Sequence, residues 1–258
     1  MLHRLRTAGL VWPLVLALPA LALLIGLGLW QMQRKAWKDG LIEAMRNRST
    51  LATPVLLEHL AGGMAGGDQE YLRVALRGQF QHDQERYLYA PDQRLGPGHH
   101  VYTPLHLRGG GMVYVNRGFV PEHLKHPAQR PQGQIAGAVN VVGLIREPET
   151  KAYFTPANDP KRNVWYWRDI AAMFGCRDGE PGTVCATDAE RTARASAIAR
   201  FSIDALAEPA NPGDWPKGGT TILDIPNRHL EYALTWFALA ATLIGVLVAF
   251  AAGKLRRA

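Results

Sequence analysis

Histidines are the side chains of this sequence best suited to binding a metal or transferring a proton. The sequence contains nine of them, so some are expected to lie near one another by chance. His99 and His100 are adjacent after a Gly-Pro-Gly loop, and neighbouring residues in a strand point to opposite faces. His123 and His126 lie in the short loop sequence PEHLKHP. A metal site needs three or four converging ligands, so neither pair predicts one.

His229 differs because it lies three residues before an apolar segment that begins at Tyr232. A neutral imidazole at a membrane entrance, followed by the aromatic side chains of Tyr232 and Trp236, is able to ligate a haem iron axially. The alternative is an interfacial histidine that hydrogen-bonds a lipid headgroup or the rest of the protein. Position alone favours the interfacial interpretation.

Two long uncharged segments must position this histidine. Residues 7–33 form a run of 27 without a formal charge, and residues 232–253 form a run of 22. A helix needs about 20 apolar residues to cross a bilayer core. We therefore predict transmembrane helices at residues 10–30 and 230–252. A cleaved signal peptide is the alternative for the first, but its apolar stretch is too long for one.

The formal net charge of +7 lies mostly in the two tails. Residues 1–9 and 253–258 carry five basic side chains and no acidic one, which favours a cytoplasmic location for both. Residues 40–231 carry 21 basic and 21 acidic side chains, so no nucleic-acid partner is expected. The sequence predicts a hairpin anchor with residues 31–229 exported.

Arg34, Lys35 and Lys38 form a basic cluster just beyond the first apolar segment. The helix is predicted to continue out of the membrane to about residue 48, with one face formed by Trp30, Arg34, Trp37 and Lys38. An anchor of aromatic and basic side chains among lipid headgroups is one interpretation of this face. Membrane lipid is therefore an expected partner.

Small residues recur on both apolar segments. Ala241, Gly245 and Ala249 are four residues apart, and Ala22 and Gly26 form a shorter stripe. Such stripes allow membrane helices to approach closely, although the abundance of Ala and Gly makes chance the alternative. We expect the two helices to pack directly, because no third span is present to bury them.

The exported segment has the pattern of a mostly antiparallel β domain with small helices, and a partial barrel is one form that such a sheet takes. The predicted fold class is therefore an α+β membrane protein. Residues 109–111 are typical of a hairpin turn, and Asp169 is placed to cap a short helix at 169–174. A flexible connection is expected at 61–67. Strands are predicted at residues 72–77, 78–80, 87–89, 100–105, 112–116, 139–145 and 196–206, with a last extended piece at 220–225.

Cys176 and Cys185 are the only cysteines. In an exported domain they lie in a compartment that permits disulfides, and the loop between them contains glycine and proline. A metal site needs a tighter spacing such as CxxC. We therefore favour a disulfide between them. Motifs of covalent catalysis are absent from the sequence, which contains no GxSxG and no Walker loop, so no enzyme is predicted.

Seven segments, taken together and in order, resemble the Surf1 (surfeit locus protein 1) family of haem–copper cytochrome oxidase assembly factors. The resemblance covers nearly the whole chain. Phe119, Arg228 and Ala238 depart from the family's usual residues, and the segment from Cys176 to Arg194 looks lineage-specific. The segments are GLWQMQRKAWK (28–38), RGQFQHDQERYLY (77–89), PGHHVYTPL (97–105), VYVNRGFVP (113–121), VVGLIREPE (141–149), FTPANDPKRNVWYWRDIAAM (154–173) and PNRHLEYALTWFALA (226–240).

The resemblance implies a protein that helps to insert haem A into oxidase subunit I, with haem a as a transient cargo and haem A synthase as a further candidate partner. The family motif places a histidine at the mouth of the second span, which here is His229, and this favours axial ligation of haem iron. By position, the cationic cluster is suited to propionates and the aromatic rings to stacking. The expected haem-site residues are His229, Trp30, Arg34, Lys35, Lys38, Tyr232 and Trp236.

Two other functions stay open at this point. A scaffold would stabilise subunit I or haem A synthase without touching haem. A copper chaperone is disfavoured because the sequence has no close cysteine pair. The N-terminus has no Arg/Ser-rich transit peptide, which favours a bacterial cytoplasmic (inner) membrane with the central domain in the periplasm.

Overall fold

The computed structural model describes residues 10–59, 69–175 and 198–256. The chain divides into two compact units: a terminal unit, Met1–Ala44 with Asp224–Ala258, and a central unit, Met45–Leu223. Three predictions fall outside the described residues: the N-terminal tail at 1–9, the flexible connection at 61–67 and the pairing of Cys176 with Cys185.

Two long helices make up most of the terminal unit. Helix α1 spans Val11–Ser49 and another long helix spans His229–Leu255. Both are long and apolar enough to cross a membrane, and protein covers only 11% of the residues in the most apolar window of each. The prediction of two apolar helices, the first continuing beyond residue 30, is confirmed.

The two helices pack along a seam with coiled-coil spacing. A Cβ added at Gly28 would meet the ring of Phe237, and Gly28 is buried. Steps of three and four residues keep one face of each helix toward the other. The least exposed positions include Ala17, Leu21, Leu24, Gly28 and Gln31 of the first helix, and His229, Ala233, Trp236, Ala240 and Leu243 of the second.

The small-residue stripes do not form this seam, so the expectation that they bring the two helices together is wrong and the alternative of chance spacing holds. Ala22, Gly26, Ala241, Gly245 and Ala249 are all exposed. A Cβ added at Gly26 or Gly245 would meet no atom within 4 Å. A seam of heptad spacing turns these positions outward, whereas steps of four residues belong to the alternative, right-handed crossing of membrane helices.

A closed sheet dominates the central unit. Its strand order is β1-β2-β6-β7-β5-β4-β3, and an additional β2–β4 pairing joins five of the strands in a ring. The β1–β2 and β5–β7 pairs are parallel and the other pairs are antiparallel. The mostly antiparallel sheet is therefore confirmed. The strands are β1 Val55–Leu56, β2 Arg73–Phe80, β3 Arg86–Tyr89, β4 Gly98–Leu107, β5 Met112–Pro121, β6 Ala138–Arg146 and β7 Ile198–Ala205.

Gly78 does not end a strand, contrary to the prediction that residues 72–77 and 78–80 are separate. It lies within β2, opposite Leu107 of β4, and a Cβ there would meet the backbone oxygen of His106. The glycine permits the close approach of two strands that closes the ring. The predicted extended piece at 220–225 has no helix or strand assignment, and Thr221 within it donates a hydrogen bond to Asp204 at 2.7 Å.

Local sequence signals correctly predicted one hairpin and one helix start in the central unit. Strands β4 and β5 pair through a turn in which the Leu107 amide donates to the carbonyl of Gly111 at 2.9 Å. Helix α2, Ile170–Met173, begins after Asp169, whose carboxylate accepts from the Ala172 amide at 3.1 Å. The predicted hairpin and helix cap are both confirmed. The long helix at His229–Leu255 is α3 in chain order.

The core of the central unit has two apolar parts. One lies among the strands and includes Leu105, Val115 and Ile203, each fully buried. The other packs α2 against the sheet, around Trp165, which is fully buried and donates its indole N–H to Asn163 at 2.8 Å. Burial of these side chains supplies the main stabilisation of the unit.

A group of charges is also buried in the central unit. Glu85 pairs with Arg130 through a short hydrogen bond, and Arg117 lies 3.6 Å from the same carboxylate. All three side chains are at most 2% exposed. Burial would raise the pKa of Glu85, but hydrogen bonds from His82 and Arg130 and the charge of Arg130 lower it to about 2.

Candidate functional site

His229 is the first residue of α3 and hydrogen-bonds a side chain of α1. Its Nδ1 lies 2.7 Å from Oε1 of Gln31. Both side chains are half-buried, at seam positions of the terminal unit. In the described part of the chain, Nδ1 is the ring atom of His229 with a hydrogen-bond partner, and Nε2 has none. The ring is therefore held at one nitrogen and open at the other.

Asn227 strengthens the connection between the two helices just before His229. Its side-chain amide donates to Oδ1 of Asp39 at 2.7 Å and to the carbonyl of Lys35 at 3.3 Å. The side-chain oxygen Oδ1 of Asn227 accepts from the backbone amide of His229 at 3.4 Å. The segment that leads into α3 is thus bound to α1 through side-chain contacts, which fixes the start of the helix that carries the histidine.

The three cations of the predicted cluster all have partners in the terminal unit. Lys35 forms an ion pair with Asp39 at 2.6 Å, and Lys38 donates to the carbonyl of Pro226 at 2.8 Å. The guanidinium of Arg34 lies 4.6 Å from the ring centre of Trp37. Hydrogen bonds from Lys35 and Asn227 hold the pKa of Asp39 below its usual value. A bound anion would have to compete with these contacts.

The three aromatic residues of the predicted site differ in exposure. Trp30 is 49% exposed and Tyr232 is 55% exposed, whereas Trp236 is half-buried. Tyr232 and Trp236 follow His229 by three and seven residues on α3, so they lie on its side of the helix. Large exposed rings beside a half-buried imidazole are suited to an apolar, planar ligand or to lipid.

Sequence reasoning missed Gln31 and Asn227. Gln31 is the first polar residue after the apolar part of α1, and a polar residue there is ordinary at a membrane surface. The available signal was the presence of both residues in the segments 28–38 and 226–240 that carry the family resemblance.

The histidine pairs of the central unit are not brought together as a metal site. His99 lies on β4 with Nδ1 at 3.3 Å from the carboxylate of Glu122, and burial lowers the pKa of both His99 and His100. His123 and His126 are exposed. Within residues 10–59, 69–175 and 198–256, no three His, Cys, Asp or Glu side chains are grouped to hold a metal ion.

Comparison with known proteins gives one consistent result. The sequence model of the SURF1 family matches residues 18–241. Surfeit locus protein 1 of Homo sapiens is 36% identical over 249 residues, which cover 90% of this chain and 74% of that protein. The Mus musculus protein of the same name is 36% identical, with 90% and 72% covered. A SURF1-like protein of Monosiga brevicollis is 35% identical, with 94% and 88% covered.

Proposed function

The chain belongs to the SURF1 family of cytochrome oxidase assembly factors, and we propose that it binds haem a and assists its delivery into subunit I of a haem–copper oxidase. It acts in this proposal by binding its cargo, without catalysing a reaction. The observation that carries the proposal is the hydrogen bond between His229 and Gln31, which holds an imidazole at the start of an apolar helix and leaves Nε2 without a hydrogen-bond partner among the described residues.

The residues of the terminal unit suit such a cargo. A single imidazole supplies one axial bond, and a carrier that must release haem is better served by one such bond than by two. Exposed rings provide apolar contact for a porphyrin, and nearby cations provide charge for propionates. These residues are His229 as the iron ligand, with Trp30, Tyr232 and Trp236 as apolar contacts and Arg34, Lys35 and Lys38 as cations.

A haem-free scaffold is the second candidate. The contacts of Lys35 with Asp39 and of Lys38 with Pro226 favour it, because these cations already have partners without a propionate. In this account the chain stabilises subunit I or haem A synthase during assembly, and His229 is a structural residue of the helix seam.

The two candidates predict different defects in cells that lack the chain. If it delivers haem, subunit I accumulates but its haem a content falls several-fold, because the cargo does not arrive. The measurement is the molar ratio of haem a to subunit I in purified membranes. The delivery proposal is contradicted if the amount of subunit I falls while the haem a in the remaining subunit stays stoichiometric.

We further propose a two-pass protein of a bacterial cytoplasmic membrane, with both ends inside and the central unit in the periplasm. The five basic residues of the tails support this orientation. A reporter active only in the periplasm is expected to be silent when fused after Ala258. The same reporter inserted at the exposed Gly110 turn should be active. Activity at Ala258 would overturn the hairpin topology.

A further inference from the structure

We propose that Gln31 is a positioning residue that sets the tautomer of His229, keeping the proton on Nδ1 and the lone pair on Nε2. The consequence for haem rests on the proposed function, whereas the tautomer itself is a property of the protein alone. The pair joins α1 to α3 across 198 residues of sequence, at a distance of 2.7 Å.

The hydrogen-bond chemistry of the pair leads to this tautomer. A carbonyl oxygen only accepts, so the contact of Gln31 Oε1 with His229 Nδ1 requires a proton on that nitrogen. In a neutral imidazole the other nitrogen then has the lone pair. Histidine in water favours the opposite arrangement, with the proton on Nε2, so the protein must impose the one inferred here.

The location of the pair favours the hydrogen-bonded state over an unpaired imidazole. Both side chains are half-buried at the helix seam, where unpaired polar groups are costly because water is scarce. The backbone on both sides is also held, since Asn227 binds Asp39 and the carbonyl of Lys35. These contacts fix the start of α3, from which the imidazole of His229 reaches Gln31.

The expected effect on a metal bond follows from how histidine ligands generally behave. A ligating imidazole usually donates its second N–H to an acceptor, which fixes the ring and makes the ligating nitrogen more basic. Loss of such an acceptor weakens metal binding by about 10- to 100-fold. Gln31 has this relation to His229, so its replacement should weaken binding of haem a without removing the ligand.

Three variants of the full-length protein separate this role from a general packing role. Gln31→Leu removes the acceptor at similar size, and Gln31→Glu keeps an acceptor oxygen. Gln33→Leu is the matched control, because Gln33 is exposed two residues further along the same helix. The direct measurement is the nitrogen NMR signal of labelled histidine in haem-free protein in detergent, assigned to His229 by its disappearance in His229→Ala.

We expect the proton on Nδ1 in the wild type, in Gln31→Glu and in Gln33→Leu, and a shift toward Nε2 in Gln31→Leu. The dissociation constant for haem a should rise about 10- to 100-fold in Gln31→Leu alone. A wild-type proton on Nε2, or no response of tautomer or affinity to Gln31→Leu, would overturn the inference. If the tautomers behave as expected but the wild type binds no haem a, the proposed function fails and the role of Gln31 in setting the tautomer stands.

Discussion

His229→Ala is expected to lower the affinity for haem a by about two orders of magnitude, which corresponds to about 2.7 kcal/mol. The imidazole is the axial ligand in this account, and alanine leaves the cargo with apolar and ionic contacts only. The change also removes the partner of Gln31 across the helix seam. Titration of the purified variant with haem a, followed by its visible spectrum, measures the effect.

The matched control is His123→Ala, which removes an exposed histidine of the central unit. Its spectrum and affinity should equal those of the wild type. Circular dichroism of both variants separates lost ligation from lost folding, because a single change at the start of α3 should leave helix content intact. An unchanged spectrum and affinity in His229→Ala would exclude this residue as the ligand.

Glu85→Ala is expected to destabilise the central unit by about 3–5 kcal/mol. It leaves Arg117 and Arg130 buried without their shared carboxylate, and both guanidinium groups are at most 2% exposed. Burial lowers the pKa of Arg117 to about 10, partly offset by the charge of Glu85, so losing that charge removes a stabilising partner. The measurement is the urea midpoint of the full-length protein in detergent.

Lowering the pH should remove the stabilising interaction of Glu85 with Arg130 and Arg117. The pKa of Glu85 is lowered from 4.5 to about 2 in the folded protein, so its contribution is present above pH 4.5 and is lost as the pH falls toward 2. That shift corresponds to a contribution of Glu85 to the free energy of unfolding on the order of 3 kcal/mol. The difference in Tm between the wild type and Glu85→Gln should therefore narrow across this pH range.

Glu122→Ala is the control for both experiments, because the Glu122 side chain is 59% exposed and its partner His99 is not left as an isolated buried charge. Its urea midpoint should lie close to that of the wild type. Equal midpoints for Glu85→Ala and Glu122→Ala would show that the buried group adds nothing to stability.

Features with a local physical cause could be predicted from sequence. The absence of charge over residues 7–33 and 232–253 identified both apolar helices, because a charged side chain in hydrocarbon is costly. Alternation of apolar and polar residues identified most strands, and Asp169 identified a helix start. Each signal lies within one element, so no knowledge of its neighbours was needed.

Features that depend on distant contacts could not be predicted in the same way. Glycine is typical of turns, so Gly78 was predicted to separate two strands. It lies inside β2 instead, at a point where β4 passes close to it. The small-residue stripes were plausible in sequence, yet the seam formed around Gly28 instead. In the candidate site, His229 was predicted as a ligand from the family resemblance, whereas its contact with Gln31 became visible only when α1 and α3 were brought together.

The most direct test of haem a binding is the visible spectrum of the wild-type protein, purified in detergent from cells that make haem A. The account predicts a haem a band that co-purifies with the chain and persists after washing with detergent. A protein that purifies without any haem a band, from cells in which the oxidase assembles normally, would contradict haem binding.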